Sequence, residues 1–466
     1  MKKNDLLTGI VDSIGYNGEG ILRVDGTTVF VPFVLADEEI EFKVLKVKDG
    51  VAYGKCEKII KSSPSRVEPL CAVYKKCGGC QLQHCAYEKQ SAIKKNTVEN
   101  CFKKIAGLNV SIEKSFPSPD SYGYRNKLQL PVRSENGEVK IGFFRENSHD
   151  VIETDDCPLQ PDWAKKVITA VKNLFSIKGF TAYDESTKKG LLRHVIAREI
   201  NGEFLFTFVY NGDTKKFDNG LIEALSSKFD AFSLFVNVNT AKNNVILGKE
   251  WRKVSGKGYI DVSEFGIDYS LGAQSFFQVN TPVKEEIYKD VFDLADIDKD
   301  TVVIDAFSGA GVLTAMLAKR AKKAYGVEII KEATDSADAL AKRNGIKNMT
   351  NVCADCGEVL PALVEKAKTE GKRTVLVFDP PRSGVDRDSI AAAIKVMPDT
   401  IIYVSCSPQT LARDAGLLVG SLKYENDRLT NVSADFSPNY VITSVGIYDM
   451  FPQTKHVETL CLLRKQ

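Results

Sequence analysis

No run in this sequence approaches the roughly eighteen consecutive apolar residues that a membrane-spanning helix needs, and Met1-Lys2-Lys3 is followed by Asn4-Asp5 rather than by an apolar leader. A cytoplasmic protein with no membrane partner is expected. Cysteine is sparse, with 11 in 466 residues, far below the density of a disulfide scaffold. In a reducing compartment such thiols point to metal binding or catalysis. Net charge is nearly absent, since 63 Lys and Arg against 61 Asp and Glu leave +2. That excludes a partner strategy based on overall positive charge. The Gly-x4-Gly-Lys-Ser/Thr loop that cradles a triphosphate is missing. So are the Cys-x3-Cys-x2-Cys spacing of radical enzymes and any internal repeat.

What is present is ordinary globular composition, 43% hydrophobic and 27% charged, in a chain long enough for about three domains at roughly 150 residues each. The reading is a multidomain α/β protein. Between Phe42 and Lys104 fourteen Lys or Arg face five Asp or Glu, so basic charge is concentrated where it could track phosphates. Residues 1–62 read as short strands with hairpin signals at Asp25-Gly26 and Asp49-Gly50, a five-stranded OB-like barrel. Residues 63–280 carry a cysteine cluster and then an α+β pattern with an antiparallel sheet. Within them Glu88 to Ile105 reads as an amphipathic helix that packs on a neighbouring domain. Residues 281–466 alternate apolar strands with helices, which implies parallel βαβ units and a Rossmann-like sheet.

Two stretches of the last segment suggest an adenosine-containing ligand. Asp305-Ala-Phe-Ser-Gly-Ala-Gly311 ends a buried strand and opens a helix. Glu328 ends the next strand, where doubly wound folds place an acid on ribose hydroxyls. Thr314 stands where a dinucleotide site has its third glycine, so S-adenosylmethionine fits better than NAD.

Chemistry is expected at the ends of the following strands. Asp379-Pro-Pro-Arg382 offers a fixed acceptor to a ring N–H, but Arg382 replaces the aromatic residue of amino-methylating enzymes. Cys406 precedes Ser407, an N-cap, and Pro408, a first helical residue. The helix N-terminus is expected to favour the thiolate. A thiolate adding to carbon 6 of uracil would make carbon 5 nucleophilic, and Glu458 is the candidate base for the carbon 5 proton.

These residues resemble the TRAM-domain, iron-sulfur class of RNA uracil-5-methyltransferases. The resemblance rests on Cys71-x5-Cys77-Gly-Gly-Cys80, Phe276-Phe-Gln-Val-Asn280, Asp379-Pro-Pro-Arg-Ser-Gly384, Ser405-Cys-Ser-Pro408 and Asp449-Met-Phe-Pro452 with His456-Val-Glu458. It implies a TRAM barrel, a central iron-sulfur domain and a class I S-adenosylmethionine methyltransferase domain. Cys406 is then the nucleophile and Glu458 the base, with Gln278, Phe307, Glu328 and Asp379 on the cofactor. Asp355 could reach the adenine amino group. Four thiolates are needed for a [4Fe-4S] cluster. Asp156-Cys157-Pro-Leu159 matches the family pattern, so the implied ligands are Cys71, Cys77, Cys80 and Cys157, with Cys85 the rival fourth. Spacing alone equally permits zinc. The Cys353/Cys356 pair is read as two ordinary cysteines, and His149 and His194 as structural or RNA-facing.

The expected partner is RNA, 23S ribosomal RNA first and transfer RNA second, with the target base flipped into the pocket and the enzyme a monomer. Tyr122-Gly-Tyr-Arg125 and Phe143-Phe-Arg145 are candidate RNA surfaces. Two other readings compete: an exocyclic-amine methyltransferase, in which Cys406 is dispensable, and a non-catalytic iron-sulfur protein that binds RNA.

Overall fold

The computed structural model describes residues 1–432 and 437–466. Its first sheet has six strands: β1 (Leu6–Ile10), β2 (Ser13–Ile14), β3 (Gly20–Val24), β4 (Thr27–Val31), β5 (Glu39–Lys48) and β6 (Val51–Lys61), in the order β1-β5-β6-β4-β3-β2. Five strands were expected. The run from Thr8 to Ile14 divides because Val11 turns into the core, exchanging backbone bonds with Asp37 and Glu38. Both hairpin signals act as read: Asp25 and Gly26, like Asp49 and Gly50, have positive φ, the geometry that matches strand twist in a two-residue turn. Alternation along β5 buries Ile40, Phe42 and Val44 against Leu22, Val29 and Val31. The sheet curls until Gly9 on β1 meets Leu22 and Val24 on β3. Arg66 then ties the following segment down through two bonds to the fully buried Glu38 carboxylate, at 2.6 and 2.7 Å.

Helix α1 (Tyr87–Cys101) continues into a wider π-helical stretch at Phe102–Ala106, which Gly107 closes in the left-handed region. It is followed by the short strand β7 (Lys114–Phe116). The central sheet comprises β8 (Lys127–Glu135), β9 (Glu138–Phe144), β10 (Val151–Glu153), β11 (Leu192–Ile200), β12 (Glu203–Tyr210), β13 (Phe232–Val238) and β14 (Glu250–Ser255), ordered β10-β9-β8-β11-β12-β13-β14. Helices α2 (Trp163–Leu174) and α3 (Asp218–Ser226) cover it. Its pairs are antiparallel except β12 with β13, which α3 links as a crossover. A separate hairpin, β15 (Tyr259–Glu264) and β16 (Ile267–Gly272), leads to the last segment.

There α4 (Thr281–Ala295), β17 (Thr301–Ala306), α5 (Val312–Ala318), β18 (Lys323–Glu328), α6 (Lys331–Arg343), β19 (Met349–Cys353), α7 (Cys356–Glu370), β20 (Arg373–Phe378), α8 (Arg387–Val396), β21 (Thr400–Ser405) and α9 (Pro408–Val419) alternate. The hairpin β22 (Leu422–Glu425) with β23 (Arg428–Asn431) and the strands β24 (Tyr440–Tyr448) and β25 (Glu458–Lys465) end the chain. The sheet order is β19-β18-β17-β20-β21-β25-β24-β7. The strands from β19 to β21 are parallel and β25 is antiparallel to both neighbours. Order reverses between β17 and β20, where an open α/β sheet leaves a crevice at its carboxyl edge.

Helices α4, α5 and α6 cover one face of this sheet and α1, α7, α8 and α9 the other. Val98 and Cys101 of α1, with Phe102 of the π-helical stretch, share a core with Leu411 and Ala415 of α9, and β7 pairs in parallel with β24. In space, residues 87–118 therefore lie with the last sheet although they precede the central one in the chain. Helix α7 was not expected from sequence. Pro361 interrupts its pattern, yet Leu360, Val364 and Ala367 still face the core. Among the described residues no helix is long and apolar enough to cross a membrane.

Candidate active site

The crevice is built by the loops that leave β17, β18, β20 and β21. Buried Asp305, next to last in β17, accepts a 2.5 Å bond from Thr314 Oγ1. Thr314, the residue in place of a third glycine, thus holds the acid that starts the loop. Phe307 takes a left-handed conformation at φ 67. Gly311 is obligatory for a steric reason, since a Cβ there would lie 2.6 Å from that of Ala337. Glu328 fastens the loop from the next strand: its carboxylate accepts from Gly309 N at 3.0 Å and Ile330 N at 2.8 Å. Asp355 is exposed and N-caps α7 through Gly357 N. Cys353 is exposed and Cys356 is buried.

Asp379 follows β20. Its loop is set by Gly384, at φ 80, and by fully buried Asp414 on α9, which accepts from Val385 N, Tyr403 Oη and Arg413 Nε. Cys406 leaves β21 beside the N-terminus of α9, where Ser407 is the N-cap and Pro408 opens the helix. The antiparallel ladder pairs Ser405, the last residue of β21, with Thr459, which sets the residue that follows, Cys406, alongside Glu458 on β25. Buried Glu458 also stands opposite Tyr448. The turn that delivers Glu458 is fixed from α1. Lys94 Nζ, 2% exposed at its side chain, donates to Asp449 at 2.5 Å and to Phe451 O. Gln90 and Gln453 bond reciprocally.

Burial dominates the electrostatics. The Glu458 carboxyl is pushed up to about 8, first by desolvation and then by Asp379, with Arg382 opposing. Asp305 is pushed up to about 7 and Asp379 to about 6 by the same desolvation. The Cys406 thiol is pushed up to about 11 by burial and then by Glu458, with Arg382 opposing and Asp379 adding. This corrects the expectation that the α9 N-terminus would favour the thiolate. Desolvation and the two neighbouring acids act against the helix end. The exposed Arg382 is the cation that faces both Cys406 and Glu458.

Gln278 lies in the segment before α4. Its backbone O accepts from Asn126 Nδ2, and Asn280 donates to Ser118 Oγ and Met450 O. The segment is thereby pinned to the turn that precedes Glu458. Tyr288 on α4 faces Asp379 and Asp305, and burial, then those carboxylates, raises its phenol. Sequence gave no sign of it, because it sits in an otherwise amphipathic helix.

A family model described as tRNA (Uracil-5-)-methyltransferase matches residues 86–466. The chain belongs to that family. A Clostridium acetobutylicum protein described as an uncharacterized RNA methyltransferase is 38% identical, the match covering 100% of this chain and 98% of the relative. A Staphylococcus epidermidis protein described in the same words is 34% identical over 100% and 99%. Among solved structures, the Pyrococcus abyssi tRNA (uracil-54, C5)-methyltransferase in complex with S-adenosyl-L-homocysteine aligns with TM-score 0.73 and 25% identity, over 98% of this chain and 100% of that one. The family member described here is thus an S-adenosylmethionine-dependent RNA methyltransferase of mixed α/β fold.

Cys71, Cys77, Cys80 and Cys157 line one cavity of about 100 Å³ together with Arg125 and Gln160. Cys85 is elsewhere, near Glu88, Arg66 and Glu38. Arg125 Nε and Gln160 Oε1 are buried without partners. Among the described residues no three His, Cys, Asp or Glu converge closely enough for a single metal ion. A lone zinc with 2.3 Å bonds would need sulfurs about 3.8 Å apart. The expected RNA surface at residues 122–125 is instead partly interior: Tyr124 is buried and donates to Pro452 O, and Arg125 lies over the Tyr124 and Phe451 rings. Phe143 lines the cysteine cavity. His149 pairs with Glu185, and His194 is buried with neither nitrogen bonded.

Proposed function

We propose that this enzyme methylates carbon 5 of a uridine in RNA through a transient bond between Cys406 Sγ and carbon 6. The observation that carries the proposal is the ladder register that sets Cys406 beside Glu458, with Arg382 facing both. Glu328, Phe307, Gln278 and Asp379 would hold S-adenosylmethionine at the crevice, where it supplies an electrophilic methyl group. Cys406 gives up its proton to water at the mouth of the crevice, and Arg382 favours the thiolate that remains. Sγ adds to carbon 6, the ring's π electrons move to carbon 5, and carbon 5 takes the methyl group as its bond to the sulfonium sulfur breaks and S-adenosylhomocysteine is left. Glu458 then removes the carbon 5 proton, the electrons return to the ring, and Sγ leaves. A carboxylate raised to about 8 is a stronger base than an ordinary one and suits neutral pH. Exposed Lys46, Lys48, Lys55 and Lys58 on β5 and β6 supply charge for the RNA backbone.

Cys71, Cys77, Cys80 and Cys157 would hold a [4Fe-4S] cluster. Four thiols around one cavity match the number of thiolates that such a cluster takes. The cluster would organise the central domain and take no part in methyl transfer.

The substrate proposed first is 23S ribosomal RNA. Likeness along the whole chain to an enzyme described as acting on transfer RNA favours transfer RNA as the second reading. Incubation of unmodified 23S and transfer RNA with labelled cofactor, followed by nucleoside mass spectrometry, separates the two. Label in 5-methyluridine supports the proposal, and label in a base methylated on an exocyclic amine refutes it.

A further inference from the structure

The turn between β2 and β3 reaches the catalytic mouth. Gly15 N bonds to Glu19 O, and Gly18 N to Gly15 O, which makes the turn tight. It is also clamped from the catalytic side. Lys455 Nζ donates to Asn17 Oδ1 at 3.1 Å, and Lys455 N donates to Gln81 Oε1. Gly18 abuts Gln81 so closely that a Cβ would lie 2.9 Å from that of Gln81, at a φ of +82. Gln81 N in turn donates to Gln453 O. The turn therefore sits against the loop that ends at Glu458.

Tyr16, at the centre of the turn, packs half-buried on the core formed by α1 and α9. Its phenol meets the Gln409 side chain, with Arg382 and Cys406 in electrostatic range. Burial raises the phenol above its ordinary value, so it remains an O–H donor. Among the described residues the Arg382 side chain makes no ion pair or hydrogen bond within the protein. Thr410 Oγ1, in the first turn of α9, donates to Arg382 O at 3.5 Å, which holds the Arg382 backbone against the start of that helix. A phenol, an amide and an unpaired guanidinium thus stand together at the start of α9, within electrostatic range of Cys406. Donors and positive charge of this kind suit a phosphodiester.

We propose that Tyr16, with Gln409 and Arg382, holds a backbone phosphate next to the target uridine, so that the N-terminal sheet contributes directly to positioning the substrate. The inference rests on the reading of this site as an RNA uridine methyltransferase. It makes Tyr16 a substrate-contact residue from a sheet that is otherwise remote from the catalytic fold.

The test compares wild type with Tyr16→Phe, which keeps the packed ring and removes the donor. The RNA is whichever unmodified transcript, 23S or transfer RNA, wild type methylates. Tyr16→Phe should raise the RNA KM about tenfold, change kcat less than threefold, and leave cofactor affinity and melting temperature at wild-type values. Placed on Cys406→Ala, it should weaken RNA binding by the same factor. A neutral methylphosphonate at the linkage flanking the uridine should cost wild type the same factor and Tyr16→Phe nothing more. Unchanged RNA KM and affinity in Tyr16→Phe would overturn the inference. So would a lowered melting temperature that accounts for the loss. Failure of wild type to form 5-methyluridine in any RNA would instead overturn the underlying reading.

Discussion

Replacing Glu458 by Gln separates bond formation from release. The carboxyl is raised to about 8, so about a tenth is ionised at pH 7 and about nine tenths at pH 9. If the ionised form removes the carbon 5 proton, product release in single turnover should rise about fiftyfold from pH 6 to pH 8 and then level off. Glutamine keeps the shape and cannot accept the proton. Release should fall by about 100- to 10,000-fold, while Sγ addition and methyl transfer continue. Denaturing gels should then show a covalent RNA complex that persists, carries the methyl group and lacks the pH dependence near 8. A Glu458→Gln enzyme that turns over at the wild-type rate, or that accumulates no complex while retaining RNA affinity, would refute the assignment of the base.

The same carboxyl links stability to pH. The folded protein holds a proton that the unfolded chain releases near the ordinary glutamate value of 4.5, so this group's contribution to stability falls as pH rises from about 4.5 to 8. Thermal melts should show Glu458→Gln gaining on wild type across that window and holding a constant lead above it. Asp305 and Asp379, raised to about 7 and 6, should lose protons when a sulfonium enters the crevice. Calorimetry should therefore find the preference for S-adenosylmethionine over S-adenosylhomocysteine growing about three- to tenfold from pH 6 to pH 8. Lys94→Met leaves buried Asp449 unpaired and should cost about 3–5 kcal/mol in denaturant unfolding. Lys94→Met with Asp449→Leu should recover most of that loss. Gly384→Ala puts a Cβ 2.6 Å from Asp414 Oδ2 and Arg413 Nη2 at φ +80. Covalent RNA complex formation should drop at least about tenfold, because the loop carrying Asp379 and Arg382 must shift.

The parallel sheet was legible because β17, β20 and β21 are mainly apolar runs and its loops carry Gly311 and the Ser407-Pro408 helix start. Helix α7 was not, since Pro361 hid a periodic face that packing preserves. The six-stranded first sheet was read as five because only tertiary contacts turn Val11 inward. Within the site, Cys406 and Glu458 could be named from residue type, but their adjacency depends on the β21–β25 register. The direction of the Cys406 shift was misread because a helix N-terminus is visible in sequence and burial beside two carboxylates is not. Tyr16 and Tyr288 left no local signal: each acquires its surroundings from segments distant in the chain.

The central claim concerns a sulfur bonded to a pyrimidine. RNA containing 5-fluorouridine, whose carbon 5 fluorine cannot leave as a proton, should arrest the enzyme in the presence of S-adenosylmethionine. Peptide mass spectrometry of the arrested complex should place one methylated nucleotide on Cys406. A Cys406→Ala enzyme that forms 5-methyluridine at the wild-type rate would contradict the account.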